Sequence, residues 1–252
     1  YDAVADADPS YIVMEYVPGG TLEPYCAADR LLPLADVVEM IFKCSRALDF
    51  AYRLGVIHRD LKPANILRGG DSGTDVKISD FGAAITTSSD QTAVAGIGSP
   101  AYMSPQQVQD WPLDHRTDIF SLGVVMYQLL TGQLPFQGSN NGSIVYQILN
   151  TAPPPPSRLR AGIPPVVDAV VMKALQKSLE ERYASWDDLS FDLAEAFRSE
   201  RLAATRTQIA DSEKFNTLRG LSFFRGFSDD QLWEVLRFSE WQRVGQGTQL
   251  MK

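Results

Sequence analysis

The stretch GVIHRDLKPANIL at residues 55–67 brings five polar or charged side chains together within eight positions. These side chains are His58, Arg59, Asp60, Lys62 and Asn65. Two apolar residues, Ile66 and Leu67, follow at once, so the polar set lies beside a strand-like segment. The set combines one carboxylate, one amide and three basic side chains in a single short segment.

A strand and a long helix are expected before this stretch. The segment YIVMEYV at 11–17 is apolar and aromatic and is closed by PGG, which predicts a buried strand that leaves through a turn. From Leu34 to Leu54 apolar residues recur at helical spacing, and Gly55 stands where a helix C-cap is expected. The polar residues at 58–65 therefore follow the end of a predicted helix.

A β-hairpin is expected after the stretch. The segments NIL at 65–67 and VKIS at 76–79 flank the turn-rich segment RGGDSGTD at 68–75. The two ends of this hairpin carry Asn65 and Asp80. We therefore expect these two oxygen-bearing side chains to lie close together.

The rest of the chain up to residue 198 is predicted to be mainly helical. Residues 117–132 are apolar on nearly every side, which indicates a buried helix. Residues 165–178 and 185–198 have amphipathic spacing, and Ser185 is a plausible N-cap. The four prolines at 153–156 predict a stiff loop.

Composition excludes several classes of protein. The 252 residues carry 23 basic and 31 acidic side chains, a net charge of −8 that disfavours a general nucleic-acid surface. No apolar run is long enough for a membrane-spanning helix. The two cysteines, Cys26 and Cys44, have neither metal-ligand spacing nor the density of a disulfide scaffold. These features predict reduced thiols and a cytoplasmic location.

Two motifs at a fixed spacing carry a family resemblance. Fourteen residues separate Asn65 from the DFG motif at 80–82. HRDLKPAN and DFG resemble the catalytic loop and the metal-binding motif of Hanks-type serine/threonine protein kinases. Within that family the resemblance is strongest to the bacterial kinases. The resemblance covers about residues 1–198. It implies an α+β fold with a hinge and a mainly helical C-terminal lobe.

The resemblance implies ATP and Mg²⁺ as cofactors and a protein as the substrate. Asp60 would orient the substrate hydroxyl and accept its proton, and Lys62 would neutralise charge on the γ-phosphate. Asn65 and Asp80 would hold Mg²⁺ between the phosphates.

Roles for four further residues follow from the same resemblance. His58 and Phe81 would stack within an internal apolar column. Arg59 would receive an activation-loop phosphate through a bidentate contact. Asp118, in the segment DIFSLG, would accept hydrogen bonds from the catalytic-loop backbone.

An activation loop and a substrate-docking segment are implied next. Residues 83–98 are polar and rich in Ser and Thr, so candidate phosphosites lie between Thr86 and Thr92. In GSPAYMSPQQ, which resembles the family's docking segment, Ser99 would bridge Asp60 and Lys62. Serine or threonine substrates are therefore expected.

One departure from the family pattern concerns a buried ion pair. Gln106 stands where the family usually has a glutamate, and its expected partner is Arg182. A glutamine can accept a hydrogen bond from a guanidinium but cannot neutralise it, which predicts a less stable lower lobe.

The segment at 11–17 resembles the family hinge. Met14 would be the gatekeeper, the backbones of Glu15 and Val17 would contact adenine, and Leu67 would form the floor below the ring. The family's glycine-rich loop, strand lysine and helix glutamate precede the hinge, and the segment YDAVADADPS contains neither lysine nor glycine. We therefore expect a fragment without most of the N-terminal lobe, inactive by itself.

The C-terminal part is expected to be a separate unit. After a linker helix at 199–217, residues 218–252 resemble the opening of a cyclic-nucleotide-binding domain, with FSDDQLWEVL as a capped helix before an aromatic strand and GQGTQL. A generic extension of the kinase is the alternative. The family's phosphate-binding cassette would follow Lys252, so a cyclic nucleotide is expected as a partner of the full-length protein and not of this chain. Four aromatic residues would then lack core partners: Phe223, Phe224, Phe227 and Trp233.

Two other function classes stay open from the sequence. A pseudokinase or scaffold typically loses Asp60, Asn65 or Asp80, and all three are intact here. A small-molecule phosphotransferase would share the Asp and Asn spacing but would lack GSPAYMSP and the DIFSLG helix.

Overall fold

The computed structural model describes residues 2–4, 11–69, 73–81, 85–86, 100–198, 209 and 211–241. Three predictions fall outside these residues wholly or largely: Ser99, the activation loop, and the strand with GQGTQL at the C-terminal end.

The strand predicted at 11–17 is shorter than expected, and a strand that was not predicted precedes it. β1, Asp2–Val4, pairs antiparallel with β2, Tyr11–Val13, in the register Asp2 to Val13. The predicted strand at 11–17 is thus wrong beyond Val13. The side chains of Met14 and Tyr16 are 65% and 84% exposed, so their apolar character does not reflect burial against a neighbouring strand.

The long helix predicted before the catalytic stretch is confirmed as α1, Leu34–Arg53. Gly55 follows it with φ of 79°, a left-handed conformation that glycine adopts without steric cost. Its N–H donates to the carbonyl of Tyr52 at 2.8 Å. This turn directs the chain into β3, Val56–Ile57, immediately before His58.

The predicted hairpin is also confirmed. β4, Ile66–Gly69, pairs antiparallel with β5, Asp75–Ile78. The register runs from Ile66 opposite Ile78 to Gly69 opposite Asp75. A further short strand, β6, Ile85–Thr86, pairs with β3.

Two helices lie beneath the catalytic stretch. α2, Pro105–Val108, is followed by α3, Arg116–Thr131, which is buried on nearly every side as its composition predicted. α4, Asn141–Asn150, comes next, and α5, Pro165–Ala174, crosses α3 closely. A Cβ at Gly123 would lie 2.9 Å from the Cβ of Ala174, so glycine is needed for this approach.

The last predicted helix of the kinase-like part is α6, Trp186–Arg198. The hydroxyl of Ser185 accepts the N–H of Asp188 at 3.1 Å, which confirms the predicted N-cap. α6 packs along α1, where the buried hydroxyls of Ser45 and Ser190 lie 2.8 Å apart.

The C-terminal segment docks on α1. It contains α7, Asp211–Gly220, and α8, Asp229–Phe238, which is the predicted capped helix with Ser228 at its N-cap. The linker helix was expected at residues 199–217. Among the described residues, the helix runs from Asp211 to Gly220 and so continues beyond the expected end. Phe215 of α7 is buried between Phe42 of α1 and Trp233 of α8, at centroid distances of 6.1 and 5.0 Å.

This docking corrects one expectation about the aromatic residues. Trp233, Phe224 and Phe227 are partly buried and pack against the core, so the prediction that they lack partners is wrong for these three. Phe223 is 75% exposed, as the prediction requires, but its ring still contacts those of Phe224 and Phe227, at centroid distances of 4.9 and 5.9 Å. The cause is that α1 itself provides the apolar surface that the segment needs.

Candidate active site

The catalytic stretch is fixed by a buried carboxylate. Asp118, at the start of α3, accepts the backbone N–H groups of His58 at 2.7 Å and Arg59 at 2.8 Å. Burial raises the pKa of the Asp118 carboxyl, and the hydrogen bonds from Arg59 and His58 oppose that rise. Arg59 has φ of 69°, uncommon for a residue with a side chain, so the two bonds hold the loop in a conformation of elevated energy.

A second contact to this loop could have been found in the sequence. The side chain of Gln107 donates to the carbonyl of Arg59 at 2.8 Å. Ser104 and Gln107 form a capping box at the start of α2, and their spacing is the sequence signal for it. The box holds the Gln107 side chain in place beneath the loop.

Three of the predicted catalytic residues are in direct contact. The ammonium of Lys62 lies 2.7 Å from Oδ2 of Asp60. The amide nitrogen of Asn65 donates to the backbone carbonyl of Asp60 at 2.8 Å and to its Oδ2 at 3.2 Å. The Asp60 carboxylate is therefore held by a cation and an amide, with about a third of its side chain open to solvent.

The hairpin places Asp80 next to this group. The backbone N–H of Ser79 donates to the carbonyl of Asn65 at 2.9 Å, which joins the ends of β4 and β5. Asp80 is exposed and has φ of 63°. The rings of His58 and Phe81 are in contact, with centroids 4.6 Å apart, but they are tilted by 55° and Phe81 is 40% exposed, so the expected stack in an internal column is wrong in this detail.

The donor set fits a hard divalent cation such as Mg²⁺. Because the amide nitrogen of Asn65 is committed to Asp60, its Oδ1 is free of hydrogen bonds among the described residues. The Asp80 carboxylate likewise has no ion-pair partner there. Within the described ranges, no group of three or more His, Cys, Asp or Glu residues could hold a metal. A two-residue set suits Mg²⁺, which usually takes its remaining ligands from phosphates and water.

The predicted adenine-side residues lie beside the hairpin. Leu67 of β4 is opposite Lys77 of β5, and the side chain of Lys77 forms an ion pair with Glu15. A Cβ on Gly69 would lie 3.0 Å from a methyl group of Val17, so the hinge segment passes close to β4. Met14 is mostly exposed, and Ser99 is outside the described residues.

The expected contact of Gln106 with Arg182 is present. Nη2 of Arg182 donates to Oε1 of Gln106 at 3.1 Å. Burial lowers the pKa of the Arg182 guanidinium to about 10, since Gln106 carries no charge to offset the loss of water.

A partly exposed carboxylate acceptor, a neighbouring cation and two adjoining oxygen-bearing side chains suit a protein of the phosphotransfer class. The protein kinase domain model matches residues 1–196, and the chain belongs to that family. Within the described residues, no helix is both long and apolar enough to cross a membrane.

Curated relatives carry the same family name. The serine/threonine-protein kinase PknB of Mycobacterium leprae is 42% identical over 197 residues, 76% of this chain and 31% of the relative. PknB of Mycolicibacterium smegmatis is 38% identical over 212 residues, 82% of this chain and 33% of the relative. A probable serine/threonine-protein kinase of Clostridium acetobutylicum is 33% identical over 196 residues, 77% of this chain and 30% of the relative. The chain thus spans about a third of the length of these relatives.

Proposed function

We propose that the protein containing this chain is a serine/threonine protein kinase that transfers the γ-phosphate of ATP to protein hydroxyls. The observation that carries the proposal is the contact of Asp60 with both Lys62 and Asn65 on a loop held by Asp118. The names of the bacterial relatives support serine and threonine as the acceptors.

The chain's own residues suit the two tasks of this reaction, positioning and charge stabilisation. Oδ1 of Asp60 is the carboxylate oxygen left for a substrate hydroxyl, because Oδ2 is occupied by Lys62 and Asn65. Lys62, now paired with Asp60, would turn its ammonium to the transferring phosphate. Asn65 and Asp80 would hold Mg²⁺, which would neutralise charge on the phosphates. Ser99 would add a hydroxyl between Asp60 and Lys62.

The test is an activity assay of the full-length protein with labelled ATP and a generic basic protein. Asp60→Asn should lower the rate at least 100-fold, because the acceptor for the hydroxyl proton is lost. Asp29→Asn, which changes an exposed carboxylate outside the site, is the matched control and should retain full activity. Equal activity of Asp60→Asn and Asp29→Asn would refute the proposal.

A pseudokinase or scaffold is the second candidate, and the same assay decides against it if phosphate transfer depends on Asp60. The intact contacts of Asp60, Lys62 and Asn65 favour the enzyme. A small-molecule phosphotransferase is disfavoured because α3, with the DIFSLG segment, is present and anchors the loop.

We also propose that the C-terminal segment opens a cyclic-nucleotide-binding domain that regulates the kinase. The capped helix α8 and the short apolar helical turn at Ser222–Phe224 support this reading. A generic extension of the kinase remains the alternative, and nucleotide binding by the full-length protein separates the two.

A further inference from the structure

Ion pairs connect the C-terminal helix α7 to the hinge segment through β5. Lys43 of α1 contacts Oδ2 of Asp211 in α7 at 2.9 Å and Oδ1 of Asp75 in β5 at 2.7 Å. Two residues beyond Asp75, Lys77 pairs with Glu15 of the hinge segment. β5 is therefore tied to α1 and α7 on one side and to the hinge segment on the other.

Lys43 is less exposed to solvent than Lys77, although its partner Asp75 is about as exposed as Glu15, at 49% against 46%. Only 11% of the Lys43 side chain is exposed. Burial lowers its pKa, but the hydrogen bond to Asp75 and the charge of Asp211 outweigh this effect, so the net shift is upward. The side chains of Lys77 and Glu15 are about half exposed, and water and salt screen such a pair.

The hairpin of β4 and β5 has the contact with Lys43 at one end and the predicted metal-binding residues at the other. Asp75 lies opposite Gly69 at one end, and Ile78 lies opposite Ile66 at the other, next to Asn65 and Asp80. The backbone hydrogen bonds of the antiparallel ladder join the two strands over this length. The contact of Lys43 with Asp75 is therefore linked through the ladder to the ends that carry Asn65 and Asp80.

Residues of α8 and of the segment that follows β2 line the same cavity. Trp233 and Leu236 of α8 line one side of a cavity of about 670 Å³, and Val17 and Pro18 line another. Lys43, Asp75 and Asp211 line the same cavity. The ion pairs of Lys43 thus line this cavity at the place where α1 also packs against β5 and α7.

The C-terminal segment is firmly seated on α1 beside this link. Ser212 donates its N–H and its hydroxyl to the two oxygens of the buried Glu39, at 3.2 and 2.8 Å. Arg46 of α1 forms an ion pair with Asp229 at the first turn of α8. Asp211 is consequently held in place for Lys43 whenever the segment is docked.

We propose that Lys43 is a positioning residue of the nucleotide site, through which docking of α7 fixes the hairpin that carries Asn65 and Asp80. The proposal rests on the proposed kinase function. Loss of the Asp211 contact leaves the catalytic groups unchanged but lowers the fraction of molecules with a binding-competent hairpin, so the apparent affinity for ATP falls.

The test compares four variants of the full-length protein. Asp211→Asn removes the charge of the α7 partner, Lys43→Met removes both contacts, and Lys43→Arg restores a cation. The matched control, Lys77→Met, deletes an exposed lysine from the same strand. Two quantities are measured: amide hydrogen exchange of β5, and KM for ATP with kcat.

We expect β5 amides to exchange about tenfold faster in Asp211→Asn and Lys43→Met, and KM for ATP to rise about fivefold with kcat within twofold. Lys43→Arg should recover most of both losses, and Lys77→Met should resemble the wild type. Amides of α3 report intact folding and should exchange at the wild-type rate.

Unchanged β5 exchange in both Asp211→Asn and Lys43→Met would overturn the proposal, and so would an equal effect in Lys77→Met. A fall in kcat with constant KM would also overturn it. Hydrogen exchange needs no enzymatic activity, so a full-length protein without kinase activity would refute the proposed function while this test still decides the role of Lys43.

Discussion

The carboxylate of Asp118 accepts a hydrogen bond from the backbone N–H of His58 at 2.7 Å, across 60 residues of sequence. The same carboxylate accepts the N–H of Arg59, so a single side chain joins the buried helix α3 to the loop that carries Asp60. The geometry of the catalytic loop is therefore set by the interior of the C-terminal lobe.

We predict that Asp118→Ala destabilises the protein by about 2 to 5 kcal/mol, because two buried N–H groups lose their acceptor. Urea unfolding at neutral pH measures this change. Asp29→Ala, at an exposed site, is the control and should alter stability by less than about 0.5 kcal/mol. If Asp118→Ala lost as little stability as Asp29→Ala, the two N–H groups would have found other acceptors and the prediction would be wrong.

Gln106→Glu should stabilise the protein by about 1 kcal/mol near neutral pH. A carboxylate in place of the amide would pair with the buried Arg182, whose pKa burial lowers to about 10. The stabilisation should disappear as acid protonates the new carboxylate, and it is measured as a rise in thermal midpoint. Gln133→Glu, at an exposed position, is the control. A lower midpoint for Gln106→Glu would mean that losing the bond from its amide nitrogen to the carbonyl of Lys177 outweighs the new ion pair.

Acid should weaken the contacts that α1 makes with α6 and with the docked C-terminal segment. Burial alone would raise the pKa of both carboxyls. The hydrogen bond from Arg46 lowers the pKa of Asp187 below the ordinary 3.8. The charge of Lys43 lowers the pKa of Asp211 in the same way. Lowered carboxyl pKa values contribute stability that is complete above about pH 5 and is lost as pH falls through the lowered values. Urea unfolding from pH 7 to pH 3 should therefore show decreasing stability at the acid end. The double variant Asp187→Asn with Asp211→Asn should show a shallower decrease, and an unchanged acid slope in that variant would contradict this account.

Local patterns in the sequence predicted the helices and the hairpin because each depends on near neighbours. α1 and Gly55, for example, follow from apolar spacing and a glycine at the C-cap. The contacts of Lys43 and Arg46 with Asp211 and Asp229 could not be predicted in this way. They join residues more than 160 positions apart, and an ordinary charged helix surface gives the same pattern in sequence.

The strand at 11–17 was predicted too long for a related reason. Apolar composition usually indicates burial, but in the described residues the ladder with β1 pairs only Tyr11–Val13. Exposed Met14 and Tyr16 show that hydrophobicity alone does not determine the end of a strand.

The full-length protein should bind cyclic AMP or cyclic GMP. The expectation depends on the order of apolar turn, capped helix α8 and glycine-bounded segment, which a kinase lobe does not require. Calorimetric titration with each nucleotide measures binding, and a version ending at Lys252 is the control that should give no heat. If the full-length protein binds neither nucleotide, the C-terminal segment is an extension of the kinase lobe that docks on α1.

The last prediction concerns Arg59 and the Ser/Thr-rich segment that follows DFG. The Nε of Arg59 is buried without a hydrogen-bond partner among the described residues, while its backbone is held by Asp118 and Gln107. A buried guanidinium nitrogen without an acceptor is costly, and a phosphate group is a bidentate acceptor for it. We therefore expect the active full-length protein to carry phosphate between Thr86 and Thr92.

Phosphatase treatment of this protein should lower its activity about tenfold. In Arg59→Gln the ratio of untreated to treated activity should fall to near one. Arg53→Gln, which alters a half-exposed arginine at the end of α1, should keep the tenfold ratio. Mass spectrometry that finds the segment unmodified in a fully active protein, or an unchanged ratio in Arg59→Gln, would show that Arg59 does not bind an activation-loop phosphate.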